Sequence, residues 1–323
     1  MPVLRTTRHV LDGIVPSMIL PAAVLLLAVA AAAPAPAETP GLAARLDRAA
    51  AESRWDDALA VADTLSSERH EAYLASLQRV VGLQCRKGDL EAAYDALDEL
   101  LAAGCWDFQA LREDPELAAI SGQERFRTAV RAAWSRQYIG MLERESRAGM
   151  QMPDRIMAAL ALREGERVAD VGAGSGYFTL PVAAAVGPTG KVWATDIRQE
   201  MLDHIAGRLR EAGLDNVELV LVPPDDPQLP AGGVDTILMV DVFHYIKERT
   251  AYGRKLRDAL APGGRLVVID FRYDPDAVRE FAPPPEQQVA RETLDADLAA
   301  AGFRVREDYD FLPEQYFVVY EAR

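Results

Sequence analysis

The 323-residue sequence has few residues that could hold a metal or form disulfides, with only two cysteines and four histidines. Two cysteines cannot build the disulfide framework that stabilises small secreted proteins. If Cys85 and Cys105 lie at opposite ends of a helix of about 14 residues, roughly 20 Å separates them, which is beyond disulfide reach. The sequence therefore predicts free thiols and gives little support for a metal site.

Basic residues are also scarce. The chain has 35 Lys and Arg against 50 Asp and Glu, a net charge of −15. Binding to a phosphate backbone needs a cluster of positive charge, and no run of Lys and Arg occurs. The composition argues against a nucleic-acid substrate. Half of the residues are hydrophobic, and a chain of this length can form two domains with sizeable cores.

Charge is absent from residues 14–37, an apolar segment rich in Ala, Leu and Val. Arg5 and Arg8 precede it, and the small residues Ala35-Pro36-Ala37 close it. This pattern predicts a signal peptide over residues 1–37, although the segment is long enough to be an uncleaved membrane anchor. In both cases the positive charges lie before the apolar segment, so the rest of the chain is expected across the membrane. We expect an exported protein, periplasmic or secreted, or one anchored through residues 14–37.

Residues 38–135 show apolar side chains at steps of three and four, without strand-like alternation, which predicts an all-α domain. Similar helix starts occur at Arg54 and Asp89, 35 residues apart, close to the ~34-residue period of a helix-turn-helix repeat. Residues 85–93 resemble part of a tetratricopeptide repeat. Such a helical-repeat-like domain can form a groove for a protein or peptide partner, or it can cap the domain that follows.

From residue 153 onward, β-branched runs alternate with helical segments, which predicts an α/β domain over residues 153–323 with a doubly wound sheet. The short connection after the sixth strand predicts that the last strand is antiparallel. Seven strands are predicted, at residues 167–171, 192–197, 217–222, 236–240, 266–271, 303–310 and 316–321. Residues 136–152 are expected to form a linker or lid helix, with Arg144, Glu145 and Arg147 on a solvated face.

A glycine-rich loop follows the first predicted strand. Glycine at positions 172, 174 and 176 lets the backbone adopt positive φ and approach a ligand, and a helix N-terminus comes next. A dinucleotide site requires a third glycine where Tyr177 stands, which disfavours a nicotinamide cofactor. Asp170, two residues before Gly172, suits a ligand with an ammonium group.

A second acidic residue, Asp196, ends the next predicted strand, 26 residues after Asp170. A carboxylate at this place can accept hydrogen bonds from both hydroxyls of a ribose. The two carboxylates in this order favour a ligand that carries a ribose and an ammonium group.

Residues 168–180, Asp196, residues 235–246 and residues 262–271 resemble the motifs of class I S-adenosylmethionine-dependent methyltransferases. The resemblance covers roughly residues 151–323. It implies a Rossmann-like seven-stranded sheet, with S-adenosyl-L-methionine as cofactor across the carboxyl ends of the first strands. The residues that it implies for cofactor binding are Asp170, Gly172, Ala173, Gly174, Gly176, Asp196, Ile197, Asp225, Asp226 and Asp241.

The resemblance also implies which part of the cofactor each residue meets. The methionine moiety would lie near Asp170 and the glycines, the ribose at Asp196 and the adenine against Ile197. Val222-Pro223-Pro224 replaces the family's Gly-Asp-Ala pattern, so either Asp225 or Asp226 could face the adenine amino group. Asp241 could help to hold the cofactor.

His244 is the candidate general base, because imidazole titrates near physiological pH. In the alternative interpretation, His244 hydrogen-bonds a backbone carbonyl and starts the next helix. Methyl transfer depends mainly on alignment of nucleophile, methyl and sulfur, so it needs few catalytic groups. No Asn-Pro-Pro-Tyr element or cluster of metal ligands identifies the acceptor.

The sequence therefore predicts a methyltransferase for an unidentified small-molecule or protein acceptor. The alternative is an exported ligand-binding or scaffold protein with a non-catalytic methyltransferase-like domain. The predicted export raises a question of supply, because S-adenosylmethionine is made in the cytoplasm. The domain could be kept inside by an anchor, the cofactor could be available outside, or the domain could lack catalysis.

Overall fold

The computed structural model of the chain describes residues 55–276, residue 279, residues 281–323 and, individually, residues 45 and 49. The described residues divide between Met141 and Leu142 into two compact units. The predicted signal peptide or anchor, residues 1–37, lies outside them. Within these ranges, no helix is both long and apolar enough to cross a membrane.

The first unit is helical. Asp89 begins its second helix by accepting a hydrogen bond from the Ala92 N–H, after Gly88 has turned the chain at φ +82°. Its core includes the fully buried Leu97, Leu100 and Phe126. The helices are α1 (Trp55–Lys87), α2 (Leu90–Ala102), α3 (Phe108–Glu113), α4 (Ala118–Ser121) and α5 (Glu124–Leu142), with a 3₁₀ turn at Pro115–Leu117.

Helix α1 bears on the predicted repeat. It runs unbroken for 33 residues, so the stretch between the two similar helix starts is one long helix instead of a helix pair. The 35-residue spacing therefore does not appear as a repeated helix-turn-helix in residues 55–141. Cys85 and Cys105 are buried free thiols, as predicted.

The second unit contains one seven-stranded sheet flanked by helices. The strands are β1 (Arg167–Val171), β2 (Lys191–Asp196), β3 (Val217–Leu221), β4 (Val234–Val240), β5 (Leu260–Phe271), β6 (Phe303–Tyr309) and β7 (Gln315–Ala322). The helices are α6 (Glu145–Gln151), α7 (Pro153–Leu160), α8 (Thr179–Val186), α9 (Gln199–Ala212), α10 (Arg249–Ala259) and α11 (Arg291–Ala300), with 3₁₀ turns at Phe243–Tyr245 and Pro285–Gln287.

The strand order is β3-β2-β1-β4-β5-β7-β6. Strands β1 to β5 pair in parallel, whereas β7 runs antiparallel to both β5 and β6. The predicted fold class, a Rossmann-like sheet with its last strand antiparallel behind a helical segment, is confirmed. Strand β5 starts at Leu260, earlier than the predicted Leu266, because Leu260 already pairs with Val234 before a register shift.

Strand β1 lies between β2 and β4, where the strand order reverses. Ligands of open α/β sheets bind in the crevice at such a switch point, outside the carboxyl ends of the strands. The register pairs Val171 with Thr195 and Asp170 with Leu238. Residues that follow β1, β2 and β4 are therefore brought to one edge of the sheet. Two apolar clusters cover the sheet and fix this edge in place.

Asn216 connects helix α8 to the start of β3. Its buried side chain donates to the carbonyl oxygens of Ala183 and Gly187, both at 2.8 Å.

We expect Asn216→Ala to lower the free energy of unfolding by about 1 to 3 kcal/mol, because two buried carbonyl groups lose their donor. Urea unfolding measures the change. Glu218→Ala is the control on the same strand: its ion pair with Lys191 is exposed, so a loss of less than about 1 kcal/mol is expected. Equal losses of unfolding free energy in the two variants would contradict the stabilising role assigned to the Asn216 side chain.

Candidate functional site

The glycine loop turns between the ends of β2 and β4. Gly172, Gly174 and Gly176 have φ of +74°, +55° and +80°. The N–H groups of Gly172 and Ala173 both donate to Thr195 O, at 2.8 and 2.9 Å. A Cβ at Gly172 would lie 2.4 Å from the Val242 side chain. This position therefore requires glycine for two reasons, conformation and space.

Two predicted cofactor residues, Asp170 and Asp196, lie beside this loop and are buried. Asp170 accepts a hydrogen bond from Thr179 Oγ1 at 2.6 Å. Asp196 accepts from the N–H groups of Gly174 and Arg198, both at 2.9 Å. Burial raises the pKa of each carboxyl to about 6. The structure thus brings the two carboxylates together beside one loop.

Asp241 follows β4 and is a third, partly buried carboxylate, with 19% of its side chain exposed. Its backbone is left-handed, with φ +57°, a conformation that Asp and Asn adopt more readily than most residues. Its oxygens accept from the side-chain amides of Gln315 and, at 3.4 Å, of Gln151. Burial, together with the nearby Asp270 charge, raises the Asp241 pKa to about 6. The glutamines come from β7 and α6, so distant parts of the second unit hold this group.

Residues 142–151, which we call the strap, lie against the glycine loop. Leu142 Cδ1 is 3.1 Å from the place where a Cβ on Gly174 would be. Glu143 Oε1 contacts His204 Nε2 and Arg208 Nη1 of α9 at 2.9 and 3.0 Å. These contacts fasten the strap to the loop side of the sheet.

The prediction of a solvated strap is wrong for one residue. Arg144 and Glu145 are exposed as expected, but Arg147 is only 6% exposed. Its guanidinium lies 4.4 Å from the centre of the Tyr177 ring and donates to Gln151 Oε1 and Leu142 O, both at 2.9 Å. These contacts and the nearby Asp241 compensate for the loss of water around the charge. Tyr177 and Asp241 lie outside residues 136–152, so the pattern within that segment gave no signal of these contacts.

His244 belongs to a buried pair that the sequence did not reveal. Its Nδ1 lies 2.7 Å from Asp270 Oδ1, and its backbone N–H donates to the other oxygen at 3.1 Å. The predicted backbone-carbonyl partner is therefore replaced by a carboxylate, although His244 does lie in a 3₁₀ turn. Nε2 is buried and has no hydrogen-bond partner among the described residues. With Nδ1–H donating to Asp270, Nε2 presents its lone pair for accepting a proton.

The residues predicted around the adenine have different surroundings. Ile197 is 45% exposed beside the end of β2. Asp226 accepts from the Gln228 N–H at 2.9 Å and from Lys255 Nζ at 3.0 Å, and these bonds lower its pKa. Asp225 is exposed, and only its backbone carbonyl accepts from Lys255. Asp225 thus has the more accessible carboxylate of the two.

Comparisons with known proteins agree with this geometry. Residues 169–266 match the family described as "Methyltransferase domain". Over 121 residues the chain is 32% identical to the ubiquinone/menaquinone biosynthesis C-methyltransferase UbiE of Burkholderia cenocepacia, covering 37% of this chain and 49% of that protein. The UbiE of Pseudomonas fluorescens is 31% identical over 122 residues, 38% of this chain and 48% of that protein.

Among solved structures, a SAM-dependent methyltransferase from Aquifex aeolicus superposes with a TM-score of 0.52 at 29% identity, covering 56% of this chain and 95% of that one. The second unit is a class I S-adenosylmethionine-dependent methyltransferase domain. S-adenosylmethionine is accordingly its cofactor. The chain spans about half the length of the curated relatives that it matches.

The residues of the methyltransferase domain fit this cofactor in charge. Asp170 and Asp196 are buried and Asp241 is partly buried, and loss of hydration disfavours the ionised form of each. S-adenosylmethionine carries two positive groups, an ammonium and a sulfonium, and two ribose hydroxyls that can donate. Each would stabilise an ionised carboxylate at this edge of the sheet.

The raised pKa of Asp170 has a consequence for stability. Its pKa is about 6 in the folded protein against an ordinary 3.8, so between these values the folded state binds more protons than the unfolded state. Its contribution to stability is therefore present at low pH and lost as pH rises through about 6. We expect Asp170→Asn to unfold at higher urea concentration than the wild type at pH 8, with a smaller difference at pH 5.

Asp203→Asn is the control for this measurement, because Asp203 is exposed on α9. Its difference from the wild type should be the same at both pH values. If Asp170→Asn also showed no change with pH, burial of an ionisable Asp170 would be refuted.

Proposed function

We propose that the chain is an S-adenosylmethionine-dependent methyltransferase for a small molecule whose acceptor group must lose a proton, with His244 as general base. The observation that carries the proposal is the buried His244–Asp270 pair. His244 lies shortly after the end of β4, and its Nε2 has no hydrogen-bond partner among the described residues. A base in this position is needed when the acceptor is protonated and dispensable when it is already a free nucleophile. The pair therefore favours a protonated acceptor.

The cofactor supplies an activated methyl group on a sulfonium. The protein's residues align the acceptor with this methyl group, shield the site from water and remove the acceptor's proton. Asp196 is suited to the ribose hydroxyls, and Asp170 and Asp241 to the positive methionine end. The strap lies against the glycine loop, where it would limit the access of water. Alignment of nucleophile, methyl and sulfur inside a dry site accounts for most of the acceleration in such a displacement.

The acceptor that fits best has an acidic hydroxyl conjugated to the atom that is methylated. His244 Nε2 takes the hydroxyl proton, and the resulting anion attacks the methyl carbon through oxygen or through a conjugated carbon. When bound, the cofactor would supply the methyl group, and its sulfur would keep the electron pair of the carbon–sulfur bond. The curated relatives are named as C-methyltransferases of ubiquinone and menaquinone biosynthesis, which supports an acceptor of this electronic type.

Other parts of the predicted function stay proposals. Export, or anchoring through residues 14–37, and a protein or peptide partner for the helical unit are retained as such. The alternative of a scaffold with a non-catalytic domain gains no support from the site or from the comparisons.

Cofactor binding provides the first test. We expect calorimetry to show binding of S-adenosylmethionine by the wild type and a loss of at least about tenfold in Asp196→Ala, because the ribose would lose its charged acceptor. Asp203→Ala should bind like the wild type. Affinity should fall as pH drops below about 6, since Asp170, Asp196 and Asp241 all have pKa values near 6 and become protonated. Binding of NADH in place of S-adenosylmethionine would refute the proposal.

The role of His244 is tested by turnover on a panel of small phenols and hydroquinones. For any member that the wild type methylates, His244→Gln should lower kcat by about 10²-fold or more, because the acceptor keeps its proton. The dissociation constant of S-adenosylmethionine should stay unchanged. Asp270→Asn should also lower kcat, since it no longer orients the imidazole. An unchanged kcat in His244→Gln would contradict the role of general base.

A further inference from the structure

The methyltransferase domain holds an isolated buried cation beside its buried carboxylates. Among the described residues, Arg147 is the one lysine or arginine in the buried class. It lies on the strap, against the ring of Tyr177, which directly follows the glycine loop. Its charge lowers the pKa of both Asp170 and Asp241 against the effect of burial. Arg147 is therefore electrostatically close to both groups expected at the methionine end of the cofactor.

The hydrogen bonds of Arg147 leave one side of its guanidinium unused. Nε donates to Gln151 Oε1 and Nη1 donates to Leu142 O. Nη2 lies 3.9 Å from Asp241 Oδ2, too far for a hydrogen bond. Asp241 instead takes its hydrogen bonds from Gln315 and Gln151. Arg147 and Asp241 thus form a loose ion pair without a direct hydrogen bond, and each takes its hydrogen bonds from other partners.

A zwitterion beside this loose pair can satisfy both charges, because its anionic end can accept from the guanidinium while its cationic end donates to the carboxylate. We propose that Arg147 binds the α-carboxylate of the methionine moiety of S-adenosylmethionine, while Asp241 faces its ammonium group. An arginine buried without a hydrogen-bonded carboxylate is costly, and a ligand carboxylate offsets that cost. The inference rests on the proposed function, since it takes S-adenosylmethionine to be the bound cofactor.

The consequence is selectivity at one end of the cofactor. Decarboxylated S-adenosylmethionine keeps the adenosine, the sulfonium and the ammonium but lacks the carboxylate. If Arg147 binds the ligand carboxylate, the site will bind the decarboxylated compound more weakly. If Arg147 only holds the strap in place, the site will not discriminate between the two compounds. The ratio of the two affinities therefore separates ligand contact from structural support.

The experiment measures both dissociation constants by calorimetry in the full chain. The wild type should bind S-adenosylmethionine about 10- to 100-fold more tightly than the decarboxylated compound, the range expected for a charged hydrogen bond. Arg147→Met should reduce this ratio to about threefold or less, mainly by weakening S-adenosylmethionine. Arg147→Lys keeps the charge and should retain an intermediate ratio. Arg144→Met, which changes an exposed residue of the same strap, should leave the ratio as in the wild type.

The outcomes distinguish the inference from the function on which it rests. If Arg147→Met weakened both ligands equally, or if the wild type bound both equally, Arg147 would be a structural residue and the inference would be wrong. If the wild type bound neither ligand, the proposed function itself would fail. Thermal unfolding shows which variants are folded. If Arg147→Met does not fold, Arg147→Lys provides the test. The inference would be overturned if Arg147→Lys bound both ligands more weakly by the same factor, so that the ratio of the two dissociation constants stayed as in the wild type.

Discussion

Burial of negative charge at the carboxyl ends of β1, β2 and β4 is the constraint on which the rest of this site depends. Asp170, Asp196 and Asp241 all lie there because parallel pairing aligns the three strand ends. Each carboxylate loses hydration and is compensated by few donors: a threonine hydroxyl, two backbone N–H groups or two glutamine amides. The resulting deficit of positive charge makes this edge suitable for a ligand with an ammonium and a sulfonium.

The fold and the glycine loop could be predicted because their signals are local. A short β-branched run, three glycines at steps of two and a following helix occupy one continuous segment, and the observed β1 has the predicted bounds. Strand ends shifted by up to six residues at β5, where the early pairing of Leu260 with Val234 depends on tertiary contact. The carboxylates at positions 170 and 196 could be found for the same reason, since Asp170 is the last residue but one of β1 and Asp196 is the last residue of β2.

The partners of these groups could not be predicted in this way. Asp270 reaches His244 from the next strand, and Gln315 reaches Asp241 from β7. Arg147 has the pattern of a surface residue in its own short helix, and only the fold brings Tyr177 and Asp241 beside it. In the helical unit, a local sequence pattern predicted a feature that the structure does not show. Similar helix starts favoured a repeat, yet residues 55–81 contain no glycine or proline to stop the first helix, and α1 continues through them.

Gln315 ties the site to the order in which the chain is synthesised. It lies at the first position of β7, is fully buried, and donates to Asp241 while accepting from Gln151. The glycine loop and Asp196 can meet as soon as β1 and β2 have paired, but Asp241 acquires this donor only after β7 has inserted between β5 and β6. A nascent domain without β7 would lack the Gln315 donor at Asp241, the carboxylate proposed for the methionine moiety, whereas Asp196, proposed for the ribose, would already have its backbone donors. Full ligand affinity is therefore expected only after β7 has completed the sheet.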